Sequence, residues 1–311
     1  MTEQQGMTGH QAPTRAGFVA LVGAPNAGKS SLLNRLVGAK VSIVSPKVQT
    51  TRRRIIGITM VEGSQVMFVD TPGIFAPSKT KRLERAMVSA AWTGAGDADL
   101  VLLVVDAKRG LDGQTRHVLE GLRDVNRPIM LVLNKIDLVK RTTLLPLIAA
   151  LNEAHRFEGT WLVSARTGDG CGEILREVAD RLPEGPFLFP EDQLSDLSNR
   201  AMAAELTREK VFLQLEEELP YSITVETDQW LESPDGEEIR IDQTVYVMRD
   251  GQKAIVLGKG GRQIRAIGEA ARLELEETLG ARVHLFLHVK VRERWLEDRE
   301  RYREMGLDYP D

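Results

Sequence analysis

The stretch Gly23-Ala24-Pro25-Asn26-Ala27-Gly28-Lys29-Ser30-Ser31 decides how the first half of the chain folds. Before it, residues 18–22 (FVALV) form a short apolar run, as a buried strand does. After it, residues 29–37 repeat apolar side chains at helical spacing and stop at Gly38. A loop of the form G-x-x-x-x-G-K-S between a strand and a helix closes backbone N–H groups around phosphate oxygens, and the helix N-terminus adds a favourable dipole. Lys29 is then expected to reach the β- and γ-phosphates, and the Ser30 hydroxyl to bind magnesium.

Working outward, each further apolar strand ends on a short polar motif. Residues 54–61 and 65–70 read as a hairpin around Glu62-Gly63-Ser64, and the second strand runs into Asp70-Thr71-Pro72-Gly73-Ile74. A carboxylate at that strand end can hold magnesium through water, and the Gly73 N–H can meet a γ-phosphate. Residues 128–134 run into Asn134-Lys135-Ile136-Asp137. Asp137 explains a preference for guanine: its carboxylate can accept from N1–H and the 2-amino group, donors that adenine does not present. A mismatched base would leave a buried carboxylate unpaired. Asn134 is expected to tie this loop to the phosphate loop, the Lys135 stem to cover the base, and Ser164-Ala165-Arg166 to complete the pocket through its backbone. Strands at 100–106 and 160–164 and helices near 80–95, 112–125, 142–156 and 171–182 complete an α/β domain with a mostly parallel sheet of six strands.

Composition agrees with two soluble globular domains: 311 residues, 42% hydrophobic and 28% charged. The one cysteine, Cys171, excludes an intramolecular disulfide and reads as a small packed residue in a reducing compartment. Residues 1–16 are polar, without the apolar core of a signal peptide, and are expected to be a flexible tail. Apolar runs are about six residues long, well below the roughly 20 that a bilayer span needs, so a cytoplasmic location is expected.

Residues 183–190 (PEGPFLFP) interrupt helix and strand alike, which places a linker at 183–195 between a GTPase domain at 17–182 and a second domain at 196–311. The charge divides at the same place. Residues 1–190 hold 24 Lys+Arg and 18 Asp+Glu, whereas residues 191–311 hold 17 and 27, a net of −10. Any nucleic-acid surface in the second domain must therefore be a local patch on an acidic body. Its elements read as a helix at 198–219, two alternating strands at 222–231 and 238–248, a short apolar stretch at 254–257, a glycine loop, a helix at 262–279 and a strand at 282–291. The loop is Gly258-Lys259-Gly260-Gly261, and between Lys253 and Arg265 four basic residues (with Lys259 and Arg262) stand without an acid. Arg282, His284, His288, Lys290, Arg292 and Arg294 extend a basic track or line a solvated strand edge. Val291, Trp295, Tyr302 and Met305 fall on one face of an expected C-terminal helix, where a stripe of this kind more often docks on a core than on lipid.

The four nucleotide motifs, in this order and spacing, resemble the translation-factor class of P-loop GTPases; the N-K-x-D element separates them from kinases and ATPases. Val48-Gln49-Thr50-Thr51-Arg52 looks like the T-T-R of bacterial assembly and RNA-modification GTPases. It implies a first switch in which Thr51, or its neighbour Thr50, closes on magnesium, and a second switch at 74–85. Ile74 stands where Ras-like enzymes carry a water-orienting glutamine, so slow intrinsic hydrolysis is expected. Asparagine at Asn26 is what related GTPases pair with a potassium ion, giving Lys29, Thr51, Gly73 and Asn26 as the expected catalytic set and Mg2+ with K+ as cofactors. The α-β-β-α-α-β order around the glycine loop resembles a type II KH fold, in which the loop clamps four single-stranded nucleotides. Both parts together, with Glu217-Glu218-Leu219-Pro220-Tyr221, resemble the Era family of ribosome-assembly GTPases over nearly the whole chain. That resemblance implies a monomer that binds the 3′ end of 16S rRNA and assists 30S maturation, with peripheral contact to the inner membrane. Lys253, Gly258, Lys259, Gly260, Gly261, Arg262, Arg265 and Lys290 are the expected RNA residues. The competing expectation is a membrane-associated signalling GTPase whose acidic C-terminal domain binds protein.

Overall fold

The computed structural model describes residues 13–48, 50–78, 81–216, 219–293 and 295–310. Gln49, Lys79, Thr80, Glu217, Glu218, Arg294 and most of the expected tail lie outside the described residues. The first sheet holds β1 (Arg15–Val22), β2 (Ile55–Val61), β3 (Ser64–Asp70), β4 (Leu100–Asp106), β5 (Ile129–Asn134) and β6 (Thr160–Leu162). Its order is β2-β3-β1-β4-β5-β6, parallel throughout except for the β2–β3 hairpin. The hairpin turn puts Glu62 at φ 47° and Gly63 at φ 82°, the paired positive dihedrals of a tight two-residue turn. β1 starts at Arg15, so the last two residues of the expected tail belong to the sheet.

Helices cover both faces, which is why β4 and β5 are buried at every position. On one face α1 (Lys29–Val37) and α5 (Cys171–Arg181) close over Val19, Leu21, Leu102 and Val132. On the other, α2 (Arg82–Asp97), α3 (Gly113–Leu122) and α4 (Leu144–Ala154) close over Ala20, Val22, Leu103 and Leu131. Cys171 is buried in the first core, and burial pushes its thiol up to about 11. Of the expected second switch, residues from Arg82 onward already belong to helix α2.

The expected linker is docked along the hairpin. Buried Gln65 accepts from Leu188 N and Phe189 N at 2.8 and 3.0 Å and donates to Phe189 O at 2.8 Å, while Ile58 N donates to Leu194 O at 2.9 Å. The second domain follows as α6 (Asn199–Gln214), β7 (Thr224–Glu232), β8 (Glu238–Val247), α7 (Asp250–Leu257), α8 (Arg262–Leu279) and β9 (Arg282–Val291). Its sheet runs β7-β8-β9, with β7–β8 antiparallel and β8–β9 parallel. The short apolar stretch is the end of α7, and the leading helix stops at Gln214.

The single C-terminal helix does not form. Strand β9 continues to Val291, a 3-10 turn covers Trp295–Glu297, and a short helix, α9 (Arg299–Glu304), restarts where the Asp298 side chain accepts from Glu300 N. Trp295 and Tyr302 are nonetheless buried. Tyr302 and Leu307 pack on Ala86 and Met87 of α2, so this segment straps the second domain to the first. Among the described residues no helix is long and apolar enough to cross a membrane.

Candidate functional site

All four nucleotide motifs meet at the C-terminal ends of β1, β3, β5 and β6, where an open parallel sheet places its ligand crevice. The cleft has a volume of about 410 Å³ and is lined by Pro25, Asn26, Gly28, Lys29, Ser30, Ser31, Thr50, Thr51, Gly73 and Lys135, with residues 43–47 along one side. Gly28 sits at φ 94°, and a Cβ there would lie 2.3 Å from Asn134 Nδ2. Gly73 is constrained differently: a Cβ would lie 2.8 Å from Pro25 Cα. Lys29 is buried, with its Nζ donating to Gly23 O at 3.0 Å and Ala24 O at 3.2 Å. Burial pulls its ammonium down to about 8, against the attraction of Asp70.

Ser30, Thr51 and Asp70 converge. Ser30 Oγ donates to Asp70 Oδ2 at 2.6 Å, and Thr51 Oγ1 lies 3.0 Å from Ser30 Oγ and 3.4 Å from Asp70 Oδ2. Thr50 turns away: its Oγ1 meets Ser45 Oγ at 2.6 Å and donates to Lys47 O at 2.8 Å. Burial pushes the Asp70 carboxyl above the usual carboxylate range, opposed by hydrogen bonds from Ser30, Ser42 and Thr51 and by the Lys29 charge. Its Oδ1 is buried with no hydrogen-bond partner among the described residues. Three oxygen-bearing side chains around an under-satisfied carboxylate fit a hard divalent cation such as magnesium. Thr71 Oγ1 donates to Leu21 O at 2.7 Å, and Ile74 N to Gly23 O at 3.1 Å, so residues 70–74 are laced to β1.

On the base side, Asn134 Nδ2 donates to Ala27 O at 3.0 Å while Oδ1 accepts from Ala165 N at 3.1 Å, joining three loops through one amide. Asp137 accepts from Ser164 Oγ at 2.7 Å and pairs with Arg166 at 2.9 Å. Lys135 Nζ bridges Asn26 O at 2.6 Å and Asp106 Oδ2 at 2.7 Å. Ile136 begins the 3-10 turn that carries Asp137. Asn26 adopts φ 62°, and its Nδ2 donates to Pro46 O at 3.0 Å, linking the phosphate loop to the first switch.

Several contributors went unread in the sequence. Ser42 donates to Asp70 Oδ2 at 2.8 Å, Asp106 anchors Lys135, and Arg35 of α1 holds Ala165 O at 2.9 Å and Arg166 O at 2.8 Å. Asp106 had a readable signal, since it is the polar residue ending a parallel strand at the ligand edge.

The second loop caps α8. Gly258, Gly260 and Gly261 take φ of 68°, 62° and 74°, and Lys259, Gly260, Arg262 and Arg265 are exposed. Lys253 lies on α7, just before the loop. Lys290 is elsewhere. Val289 and Val291 enter the core with Val256 and Ile267, so strand alternation turns Lys290 to the opposite face of the sheet. In the proposed basic track, Arg282 and His284 meet Glu238, and Arg292 meets Asp298.

Comparison with known proteins agrees with both halves. Residues 18–135 match a family model described as a 50S ribosome-binding GTPase, and residues 218–296 match a KH domain model. GTPase Era of Sinorhizobium medicae is 58% identical over 99% of this chain and 98% of its own. GTPase Era of Mesorhizobium japonicum is 59% identical over 96% of this chain and 95% of its own. A crystal structure of Era in complex with MgGDPNP and nucleotides 1506–1542 of 16S ribosomal RNA matches with a TM-score of 0.89 at 38% identity, covering 94% of this chain and 99% of that one. The same values hold for a point variant of Aquifex aeolicus Era bound to GDP and AlF4−. The chain belongs to the Era family of GTPases.

Proposed function

We propose that this GTPase binds the 3′ end of 16S rRNA through its KH domain and assists maturation of the small ribosomal subunit, working as a monomer in the cytoplasm. One observation carries the reading: the matched relative is in complex with MgGDPNP and nucleotides 1506–1542 of 16S ribosomal RNA, and this chain has a loop suited to each. The similarity to 50S ribosome-binding GTPases spans residues 18–135 alone, whereas that to the RNA-bearing relative covers 94% of the chain, so the small subunit is preferred. Peripheral membrane contact rests on the resemblance alone.

Within the site, magnesium would sit on Ser30 and Thr51 and, through water, on Asp70. Thr51 is preferred to Thr50 because its hydroxyl faces Ser30 and Asp70. Bound there, the ion would offset phosphate charge. Lys29 and the N–H of Gly73 would hold the γ-phosphate, while Asp137 would select guanine. Ile74 is fully buried and presents no group to a water, which supports slow turnover. A potassium ion beside Asn26 is compatible with its geometry, since Oδ1 has no hydrogen-bond donor among the described residues. Faster hydrolysis in potassium than in sodium at matched ionic strength is the expected result; equal rates would remove the ion from the mechanism.

The deciding experiment cross-links the GTP-bound protein to cellular RNA and maps both partners. Cross-links should join residues 253–265 to the 16S 3′ end, and Gly260→Asp should abolish them while leaving GTP hydrolysis within about twofold. Cross-links scattered over unrelated transcripts, or absent from that loop, would refute the ribosomal reading and leave the GTPase assignment standing.

A further inference from the structure

Thr51 and Arg52 are adjacent and face opposite domains. Thr51 Oγ1 lies within 3.0 Å of Ser30 Oγ, in the nucleotide cleft. Arg52 is 3% exposed and enters a cage built wholly by the C-terminal half of the chain. Its Nη1 donates to Ile223 O at 2.7 Å, and its Nη2 donates to Tyr221 O at 2.9 Å and Pro220 O at 3.1 Å. The Phe212 ring lies 5.3 Å from the guanidinium carbon and the Trp295 ring 5.9 Å. Trp295 Nε1 in turn donates to Ser222 O at 3.0 Å, which fixes the carbonyl-bearing turn 219–222. Burial and the neighbouring Arg208 charge pull Arg52 down to about 9, so it remains a cation at neutral pH.

Other contacts join the same two parts of the chain. Arg208 donates to Thr50 O at 2.8 Å, Val44 N donates to Glu209 Oε1 at 2.7 Å, and Lys40 pairs with Glu209 and Glu274. Arg208 shares the Phe212 ring at 5.2 Å, but among these contacts only the Arg52 guanidinium is held by three main-chain carbonyls. A planar fork satisfying three carbonyls tolerates little displacement, because the carbonyls lose charge-assisted bonds and a buried cation loses its partners.

We propose that Arg52 is the positioning residue through which the nucleotide sets RNA affinity: holding Thr51 on the metal seats Arg52 in the 220–223 carbonyl cage, and releasing Thr51 unseats it. The inference rests on the proposed RNA function and deepens it. Coupling of this kind is reciprocal and typically amounts to about 5- to 150-fold in affinity. Replacing Arg52 should drive the factor toward one, because the three-carbonyl grip is lost and of these contacts only the Arg208 bond to Thr50 O then joins the residues beside Thr51 to the second domain. Arg52→Lys keeps the charge and loses the fork; Arg52→Gln keeps a donor and loses the charge.

The test uses the full chain and a synthetic single-stranded RNA with the 16S 3′-terminal sequence. Its affinity is measured in MgGDP and MgGDPNP for the parent, both variants and Gly260→Asp. The parent should bind RNA differently in the two nucleotides, and the Arg52 variants should bind it with one affinity in both. Variants that keep the parent's ratio would overturn the proposal. Failure of the RNA reading itself would appear differently, as a parent no better than Gly260→Asp. A second readout then decides without RNA. Cysteines introduced at exposed Leu145 and Leu231 carry spin labels, native Cys171 being buried. The interdomain distance should change between nucleotides in the parent and stay fixed in Arg52→Lys; an equal change in both would refute the latch.

Discussion

The loop at 23–30 and the loop at 258–261 each turn the chain into a helix N-terminus and each carries a lysine, yet one is braced by packed neighbours behind its cleft and the other stands open at its tip. Lys29 is buried among backbone carbonyls, and Gly28 touches the Asn134 amide across the cleft. Lys259 is exposed, and a Cβ on Gly260 or Gly261 would meet nothing within 4 Å. The first loop is a preorganised cradle whose shape is enforced by its neighbours, so a small ligand finds its donors already aimed. The second is closed only where Gly258 meets Gln263 and is open at Gly260 and Gly261, which suits a flexible strand that must be gripped along its backbone.

The largest effect should come from breaking the packed loop. Gly28→Ala forces a residue to φ 94° and drives a methyl to 2.3 Å from Asn134 Nδ2, with the base-side loops hanging on that amide. Left-handed strain of about 1–2 kcal/mol and a lost buried hydrogen bond of about 1–3 kcal/mol together weaken GDP binding by about 30-fold or more. Titration calorimetry should give that loss; a change under about tenfold would mean that the cradle is less rigid than its contacts.

Next comes the open loop. Gly260→Ala meets no neighbour, so only the positive φ of 62° resists it. The same strain of about 1–2 kcal/mol is carried by the fold, lowering Tm by a few degrees, or, where the free loop relaxes from it, by RNA binding, which weakens by up to roughly tenfold; GTP binding is unchanged. An RNA loss as severe as that of Gly260→Asp would show that the loop is sterically filled when bound.

The contrast also explains what the sequence disclosed. The nucleotide motifs were legible because each needs particular residue types in a few consecutive positions at a strand end, and Asn134 and Asp137 announce their partners by chemistry. Contacts between distant segments were not. Arg52 reads as one basic residue among Arg52, Arg53 and Arg54, and its cage lies about 170 residues away. Gln65 did carry a signal, being a polar residue inside an apolar strand, and its partners are Leu188 and Phe189 of the linker. The stripe of Trp295, Tyr302 and Met305 kept its burial but lost its helix. Period alone cannot reveal that Asp298 caps a new start.

A third effect is the pH dependence of the packed loop. Burial holds Lys29 near 8, so between about pH 8 and its ordinary 10.5 the unfolded chain binds more protons than the nucleotide-free fold. Stability of that form therefore rises with pH across the window. Nucleotide affinity runs the other way. Phosphates favour the charged ammonium, so binding at pH 8 should take up about half a proton, and at pH 7 about a tenth. Calorimetry in buffers of different ionisation enthalpy measures that uptake; none at pH 8 would place the Lys29 titration elsewhere.

The smallest effect is expected at Lys290, and it distinguishes the KH loop from the basic strand edge. Lys259 stands on the open loop, whereas strand alternation puts Lys290 on the face away from Val256 and Ile267 and hence away from the loop's helices. A lysine that contacts a single-stranded phosphate contributes about 0.7 to the slope of log affinity against log salt. Lys259→Ala should lower the measured slope by about that amount, while Lys290→Ala should leave slope and affinity within about twofold. A slope change at Lys290 equal to that at Lys259 would mean that the RNA wraps the sheet edge to reach its second face, and that the basic track on β9 works together with the glycine loop.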